Sequence, residues 1–402
     1  MAIEVSFGPP DGVRTALETV DQAFGDLPGD EDFAREQKLM PSDRILTAYD
    51  GDYAVGAAAS YPFQLTIPGG ELRAAGVTWV GVLPSHRRHG VMSAMMRRQI
   101  EDVHERGEPL AILWASEAAI YGRFGYGLAA PTLYLDAERA RFRLRDDPGP
   151  AGTVRLVDRD EAARLFPPVY ERVRASTPGT LTRTKAWWRE SKLADPEAWR
   201  RGAGPKFYAV VEIDGTPAAY ASYRIKSEWD HGIPRGEVRV VEALATSAAA
   251  ARDLWRFLFG IDLVAKVTMF AFDPASPLFL MVSDPRSLQL RLVDGLWLRL
   301  VDVEAALRAR SYADVEPVVI DVRDELCRWN KGRYRIGDNV ERTRRTPDLE
   351  LDVADLAGAF LGAFDFHQLA AADRVRELTA GALERASLLF RTPRPPYCPE
   401  VF

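Results

Sequence analysis

The sequence predicts a mixed α/β protein built from three domains. Its 402 residues are more than one ordinary core organises. The hydrophobic share of 47% and the charged share of 27% are typical of a globular chain and not of a disordered one. Helical and strand patterns also recur in two successive segments in a similar order, which predicts two related α/β units ahead of a third.

The first unit opens with a helix, because apolar residues recur three or four positions apart at Val13, Leu17, Val20 and Phe24. Strands are predicted between D-G-D and P-G-G turns, over 44–48, 53–67 and 71–83. A helix from Gly90, a strand over 110–115 and the segment I-Y-G-R-F-G-Y-G follow. The turn-rich stretch 146–152 (D-D-P-G-P-A-G) predicts a boundary, so the first domain is 1–148.

The second domain, 149–290, repeats this order. It starts with the strand T-V-R-L-V-D and a helix, and it continues with the strands F-Y-A-V-V-E-I, P-A-A-Y-A-S-Y-R-I and G-E-V-R-V-V-E-A-L-A and the helix A-A-R-D-L-W-R-F-L-F-G. The third domain, 291–402, is predicted to begin with the strand L-W-L-R-L-V-D. The chain stays apolar to Phe402, and since exposed tails are usually polar, we expect this end to be tucked against the protein.

Composition excludes several classes of protein. The net charge of −6 argues against nucleic-acid binding and favours cationic partners. No apolar run approaches the ~20 residues that span a bilayer, and the N-terminus lacks the signal-peptide pattern, so we expect a cytoplasmic protein without a membrane partner. Cys327 and Cys398 are far apart and lack metal spacing, so we expect neither a disulfide scaffold nor a metal.

The stretch H-R-R-H-G, residues 86–90, joins a strand to a helix and is called the basic loop below. Helix N-termini present unpaired N–H groups that suit phosphate oxygens, and glycine allows a close backbone approach. Arginines add charge-assisted hydrogen bonds. The basic loop therefore indicates a phosphate-binding site, although a solvated loop before an ordinary helix is an alternative reading.

The second unit favours the ligand reading. Aligned by eye, G-V-T-W-V-G-V-L-P-S lies over G-E-V-R-V-V-E-A-L-A-T-S, with Ser85 opposite Ser247. Residues 86–89 are then replaced by alanines 248–251, and Gly90 is replaced by Arg252. Because the helix pattern persists without the basic loop, folding does not require the loop, and we expect the second unit to be structural and empty.

The stretch P-S-H-R-R-H-G, followed by A-S-E-A-A-I-Y-G-R-F-G-Y-G, resembles the Eis (enhanced intracellular survival) family of GNAT acetyltransferases. The resemblance implies tandem GNAT folds, the second degenerate, followed by a sterol-carrier-protein-like domain. It also implies an N-acetyltransferase that uses acetyl-CoA as the acetyl donor. Met92 stands where GNAT loops prefer glycine or alanine.

The resemblance assigns cofactor-binding positions residue by residue. Strand residues Val80, Gly81 and Val82 would bind the pantetheine arm through their backbone. Gly81 lies mid-strand, where glycine often marks a bulge or a close approach. The pyrophosphate would lie against Arg88, His89, Gly90, Val91, Met92 and Ser93. Arg87 would be a flanking cation, and Ser116 and Glu117 would line the other side.

Acetyl transfer to an amine needs a proton donor for the departing thiolate and a base for the amine. The family motif places the acid on Tyr121, although an aromatic residue between Ile120 and Gly122 is more often packing, and Tyr126 is a rival. In the family the terminal carboxylate acts through water as the base, and here that group belongs to Phe402. A terminal carboxyl group, with an ordinary pKa of about 3.5, is ionised at neutral pH.

Substrate residues are predicted on the acidic segment after the first helix. Asp26 matches a family pocket position, Trp79 would face the acceptor, and Glu400 would add negative charge. The resemblance implies aminoglycosides or similar polycationic amines, acetylated at more than one position, and a homo-hexamer. Two alternatives stay open: a protein lysine N-acetyltransferase, and a non-enzymatic protein that binds an apolar ligand or acyl-CoA.

Overall fold

The computed structural model describes residues 3–8 and 12–402, so residues 1, 2 and 9–11 of the predicted first domain lie outside the described residues. Within the described ranges, twelve strands form one continuous sheet and five others form a smaller sheet. The first two units share the large sheet, and the third unit forms the small one.

The first unit follows the predicted order closely. Its strands are β1 (Ile3–Phe7), β2 (Ile45–Asp50), β3 (Tyr53–Ile67), β4 (Gly70–Val82), β5 (Leu110–Trp114) and β6 (Gly127–Glu138). Its helices are α1 (Gly12–Phe24), α2 (Asp30–Glu36), α3 (Val91–Glu105) and α4 (Ala118–Tyr121). The predicted helix over 13–24 is confirmed, and Val13, Leu17 and Val20 are buried as its spacing requires.

The second unit repeats this plan. Its strands are β7 (Thr153–Val157), β8 (Phe207–Ile213), β9 (Thr216–Lys226), β10 (Trp229–Asp230), β11 (Ile233–Pro234), β12 (Glu237–Ala245), β13 (Lys266–Phe272) and β14 (Arg291–Leu300). Its helices are α5 (Arg159–Arg174), α6 (Lys185–Trp187), α7 (Ala248–Gly260) and α8 (Leu278–Met281). A single π-turn, Trp188–Lys192, follows α6 directly.

The third unit packs four helices with a five-stranded sheet. Its strands are β15 (Val318–Arg323), β16 (Gly332–Ile336), β17 (Val340–Thr343), β18 (Leu349–Asp352) and β19 (Val375–Glu377). Its helices are α9 (Val303–Ala309), α10 (Val353–Phe360), α11 (Phe366–Ala371) and α12 (Ala382–Leu389). Short 3₁₀ turns in the described ranges are Ser42–Arg44, Pro84–His86, Gly122–Phe124, Arg139–Arg141, Glu197–Arg200, Pro285–Leu288 and Arg328–Asn330.

Strand β14 corrects the predicted start of the third domain at residue 291. The large sheet has the order β1-β2-β3-β4-β5-β14-β6-β13-β12-β9-β8-β7, so β14 lies between the first unit's β5 and β6. On its other side, the first unit's β6 pairs with β13 of the second unit. The two units thus exchange strands, and Leu296, Leu298 and Leu300 of β14 are fully buried in the shared sheet.

The third unit packs directly on this exchange. Helix α10 contacts both β6 and β14. A Cβ built on Gly127 would lie only 1.9 Å from the carbonyl oxygen of Ala354, so glycine is required there for the close approach of α10.

In the described ranges, no helix combines the length and apolarity that crossing a membrane requires.

Candidate active site

Strands β4 and β5 open into a cleft. They pair in parallel only where residues 74–76 lie opposite residues 110–112. Beyond Gly76 the strands diverge, so the later backbone of β4 has no partner on the β5 side. Backbone N–H and C=O groups need partners, and a strand edge left open inside a sheet therefore offers an extended molecule a row of hydrogen bonds.

A bulge turns the backbone of β4 at this opening. Trp79 and Val80 together lie opposite Ala58, and Trp79 has a left-handed φ of 54°. A bulge re-aims the strand locally and is often found beside active sites. Gly81, which the sequence offered as the bulge, lies instead in register with Ala57 and packs against α1, where a Cβ would lie 3.4 Å from Val20 Cα.

The basic loop leads into an uncapped helix. Gly90 is the N-cap of α3 with φ 83° and gives no side-chain cap, and Arg88 also has a left-handed φ of 65°. Since the first N–H groups of a helix lack internal partners, those of residues 91–93 are available to an anion. A Cβ on Gly90 would meet nothing within 4 Å, and Arg88 and His89 are exposed. Of the predicted pyrophosphate residues, Arg88, His89 and Gly90 therefore border open space.

Arg87, predicted as a flanking cation, binds the backbone of two elements. Its Nη2 donates to the carbonyl oxygen of Ala23 (2.9 Å), and its Nε donates to that of Val82 (3.2 Å). The guanidinium thus ties the end of β4 to the end of α1. This contact positions the basic loop from behind.

The second unit lacks this loop entirely. Helix α7 begins at Ala248 directly after β12, and the Ser247 side chain accepts from the N–H of Ala250 as a conventional N-cap. Alanines 248–251 form the first helical turn in place of a loop. The contrast expected from the sequence is therefore present in the backbone.

Tyr121 lies across the cleft, at the end of α4. Its side chain is buried, and Ser116 and Glu117 are exposed between β5 and α4. Burial raises the pKa of Tyr121 above its ordinary value of 10.0, the Ser116 side chain opposes this by a hydrogen bond, and Glu117 adds to it. The phenol therefore keeps its proton at neutral pH.

Tyr126, the rival acid, is enclosed. Its side chain is 1% exposed, and its hydroxyl has no hydrogen-bond partner among the described residues. It lies near Arg299, whose fully buried guanidinium packs on Gly125, where a Cβ would lie 2.5 Å from Arg299 Nη1. Tyr126, within the segment I-Y-G-R-F-G-Y-G, and Arg299, packed against that segment, thus stabilise the backbone that carries Tyr121. A lone arginine within the apolar run L-W-L-R-L-V was the available sequence signal for such a buried cation.

The C-terminus reaches the root of the cleft. The Phe402 ring lies 5.2 Å from the Phe63 ring and 6.5 Å from the Tyr61 ring, measured between centroids. A Cβ on Gly76 would be 3.2 Å from Phe402 Cε2, and Gly76 is the last β4 residue that pairs with β5. The tucked end expected from the sequence is confirmed, and it lies where the cleft begins.

Glu400 does not fit its predicted contact with substrate. It is 1% exposed, and its carboxylate accepts hydrogen bonds from Arg183 Nε and from Trp187 Nε1 (3.0 Å). Both oxygens are therefore bound within the protein. The sequence around Arg183, L-T-R-T-K, contains no pattern that could have predicted this pairing.

Acidic side chains gather beside α1 and α2. Asp26 is exposed, and Asp21 and Glu36, which the sequence reasoning did not single out, belong to the same acidic group. Burial, followed by the charges of Asp26 and Asp32, raises the pKa of Asp21. Glu36 is half-buried, and the Tyr61 hydroxyl donates to it at 2.7 Å. Because Tyr61 also contacts the Phe402 ring, this acidic group borders the C-terminus.

Burial also raises the pKa of Glu36 from its ordinary value of 4.5, while the Tyr61 hydrogen bond and Arg35 oppose the rise. Trp79 is half-buried and packs on the core. Among residues 3–8 and 12–402, no three His, Cys, Asp or Glu side chains are grouped to hold a metal ion.

Family comparisons match all three units. Residues 7–129 and 179–300 each match a family described as "Acetyltransferase (GNAT) domain". Residues 303–399 match the family described as "Sterol carrier protein domain". The second match ends at the last residue of β14, in agreement with its place in the large sheet.

Comparisons with whole proteins extend over nearly the full chain. An "Uncharacterized N-acetyltransferase" of Streptomyces avermitilis is 41% identical over 393 residues, 96% of each chain. The "N-acetyltransferase Eis" of Mycobacterium tuberculosis is 35% identical over 393 residues, 93% of each chain. The crystal structure of Eis1 from Mycobacterium abscessus superposes with a TM-score of 0.85 and 33% identity, covering 99% of this chain and 100% of that one.

Proposed function

We propose a substrate class for this chain, which belongs to the Eis family of GNAT N-acetyltransferases. It acetylates polycationic small molecules, with aminoglycosides as the leading class. More than one amine of each molecule is modified. The observation that carries the proposal is the cleft between β4 and β5, with the uncapped start of α3 and Tyr121 beside it and Phe402 at its root.

The open edge of β4 would hold acetyl-CoA through the backbone of Val80, Gly81 and Val82. The exposed Arg88 and His89, with the free N–H groups of residues 91–93, would bind the pyrophosphate, and Ser116 and Glu117 would face it across the cleft. Bound acetyl-CoA supplies an acetyl group activated as a thioester. The exposed, open surroundings of Gly90 support the fit, because a close phosphate would meet no side chain there.

Tyr121 is the proposed general acid. Its buried phenol has a raised pKa and so holds a proton on Oη at neutral pH. That proton is then available to the sulfur as the thiolate departs. A positioned general acid typically contributes about 10²–10⁴-fold to the rate.

The terminal carboxylate of Phe402 is the proposed base. The amines of a polycation are mostly protonated at neutral pH, and only the neutral amine attacks a carbonyl carbon. A terminal carboxylate accepts the proton through an intervening water. The packing of the Phe402 ring against Phe63 and Gly76 supports this role, because it restrains the last residue at the cleft.

The acidic group supports a polycationic acceptor. Asp26 and Trp79 are the proposed acceptor contacts, and Asp21 and Glu36 are added to them. The charge of Asp26 raises the pKa of Asp21, and that of Asp21 raises the pKa of Glu36, so these carboxylates are close enough to act together on one cation. Such a site would attract a molecule with several ammonium groups, and its openness would admit it in more than one orientation.

Thiol release from acetyl-CoA with a panel of aminoglycosides tests the proposal. The native chain is compared with a chain extended by a few residues after Phe402, and acetyl-CoA binding is measured in both. Turnover by the native chain that is lost on extension, with binding retained, supports the terminal carboxylate as base. Equal turnover would assign the base elsewhere, and turnover with lysine peptides alone would replace the acceptor class.

The proposal includes the homo-hexamer implied by the family resemblance. Apolar side chains that a single chain leaves exposed support association, among them Leu280 (78% exposed), Leu292 (72%) and Leu263 (62%). Sedimentation equilibrium of the purified protein measures the assembly, and a monomer at micromolar concentration would remove it from the proposal.

A further inference from the structure

The last residues of the chain run along the second unit before they reach the first. Pro396 to Glu400 are buried. Tyr397 donates its N–H to the carbonyl oxygen of Pro178 (2.8 Å) and its hydroxyl to that of Ala271 (2.7 Å). Arg394 is paired with Asp273. We call residues 394–402 the tail.

The tail crosses an opening in the second unit that corresponds to the cleft in the first. Strands β12 and β13 pair in parallel only over residues 237–240 and 266–269, and then diverge. Strand β12 also has a bulge, between Val240 and Glu242. The arrangement repeats the partial pairing and the bulge of β4. Tyr397 binds Ala271 on the diverging part of β13, beyond the last paired residue.

Little space remains at this second opening. A cavity of about 170 Å³ persists beside the tail, bordered by Ser247, Phe272 and Arg394. Small-molecule pockets usually enclose about 300–1,000 Å³. Since the basic loop is also absent from this unit, the opening lacks both the volume and the phosphate contacts that a coenzyme would need.

Glu400 of the tail belongs to a buried cluster of four charged side chains. Arg183, with its side chain fully buried, lies between two carboxylates and donates to both Glu400 and Glu242, the latter at 2.5 and 3.0 Å. Lys192 Nζ lies 2.8 Å from Glu242 Oε1 and 3.5 Å from Glu400 Oε2. Two cations thus balance two carboxylates.

Each charged side chain in this cluster compensates the charge of another. Removing one partner of a buried pair leaves an uncompensated charge, which is strongly unfavourable. Trp187 and Tyr220 supply further donors to the two carboxylates, Nε1 to Glu400 at 3.0 Å and Oη to Glu242 at 2.6 Å. Glu242 belongs to β12 and Glu400 to the tail, so the cluster fastens the tail to the diverging strand.

We infer that the second unit holds the chain's own C-terminal tail in the opening where the first unit would hold its donor, and that Arg183 and Glu400 are positioning residues for the terminal carboxylate. The inference rests on the proposed function, because it takes that carboxylate to be the base. Two residues span at most about 7 Å, so a fixed Glu400 confines the end of Phe402 to a small volume.

Release of Phe402 by a carboxypeptidase that removes aromatic C-terminal residues measures the hold directly. In the full chain, we expect Glu400→Gln to release Phe402 about tenfold faster or more, since Arg183 then loses one of its two carboxylate partners, the one that lies on the tail. Glu384→Gln is the matched control, because Glu384 forms an exposed pair with His367 and should release at the native rate. An unchanged rate in Glu400→Gln would overturn the inference.

A second variant tests the opening without changing a charge. Tyr397→Phe removes the hydroxyl that binds the Ala271 carbonyl oxygen, and we expect release about fivefold faster, in line with one lost hydrogen bond. This variant decides the question if Glu400→Gln does not fold. A native release rate in folded Tyr397→Phe would show that the tail is not held by β13.

Turnover separates the inference from the proposed function. With the tail loosened, kcat should fall about tenfold while the KM for acetyl-CoA stays unchanged. The defect should shrink as the pH passes the pKa of the acceptor amine, because a neutral amine needs no base; a general structural defect would persist. Faster release with unchanged kcat would support the hold on the tail and overturn Phe402 as the base.

Discussion

Tyr121 and Tyr126 belong to one short segment but differ in the surroundings of their hydroxyl groups. Their rings meet edge to face, with centroids 6.0 Å apart. Ser116 at the end of β5 bonds the Tyr121 side chain, whereas the Tyr126 hydroxyl has no partner among the described residues. The two phenols therefore differ in both burial and hydrogen bonding.

The first prediction compares these two residues. Tyr121→Phe should lower kcat by about 10²–10⁴-fold with little change in acetyl-CoA affinity, since only the transferable proton is lost. Tyr126→Phe should keep kcat, because the hydroxyl removed has no partner. Steady-state thiol release and calorimetric binding measure both. A larger loss in Tyr126→Phe than in Tyr121→Phe would exchange their roles.

The second prediction concerns pH. Raised pKa values mean that Asp21 and Glu36 become protonated, and lose negative charge, at a higher pH than ordinary carboxylates. The KM for a polycationic acceptor should therefore rise as the pH is lowered. The rise should begin at a pH above the ordinary pKa values of these two carboxyl groups, 3.8 for Asp21 and 4.5 for Glu36. Glu36→Gln should raise KM about fivefold at neutral pH and flatten this dependence.

Glu105→Gln, at the exposed end of α3, is the control for the second prediction and should follow the native profile. KM is measured as a function of pH with one aminoglycoside at saturating acetyl-CoA. A KM in Glu36→Gln that equals the native value throughout would remove Glu36 from the acceptor site.

At the scale of elements, β4, the basic loop and α3 were predictable because their requirements are local. A glycine with left-handed φ and an uncapped helix start are both encoded within a few residues. The role of Arg87 was not predictable in this way, because its partner Ala23 lies on α1 and is reached only after the chain folds.

The third prediction tests the loop. Gly90→Asp should weaken acetyl-CoA binding by roughly tenfold to a hundredfold, since a carboxylate would replace the open approach to the helix N-terminus. Gly215→Asp is the matched control: its φ is 71°, a Cβ there also meets nothing within 4 Å, and it lies in the β8–β9 turn. Both variants carry a similar backbone strain of roughly 1–2 kcal/mol.

Calorimetric titration with acetyl-CoA, after circular dichroism has established the fold of each variant, measures the third prediction. Native affinity in Gly90→Asp would place the pyrophosphate away from the basic loop. An equal loss in both variants would attribute the effect to strain.

At the scale of the molecule, the third unit supports the segment that presents Tyr121. The backbone of α10 touches Gly127, and Arg299 of β14 pairs with the buried Asp324 of the third unit while it packs on Gly125. All three units therefore converge on a segment that belongs by sequence to the first.

The fourth prediction follows from this convergence. Gly127→Ala should lower the free energy of unfolding by roughly 1–3 kcal/mol, because its Cβ would collide with the Ala354 carbonyl. Gly122→Ala, in the same segment, has a helical φ of −56° and open space around it, and should be neutral or slightly stabilising. Urea denaturation followed by tryptophan fluorescence measures both. Equal stability of the two variants would contradict the packing of α10 described above.

The sequence by itself determined the α/β class, most helix and strand positions, the basic loop, the family resemblance and the tucked C-terminus. Each of these is written in periodicity, turn residues or a short motif, which act over a few positions. It could not determine the exchange of β14, the acidic partners of Asp26 or the burial of Glu400. Those depend on contacts across the fold: Arg183 and Glu400 are 217 positions apart, and only tertiary structure places them together.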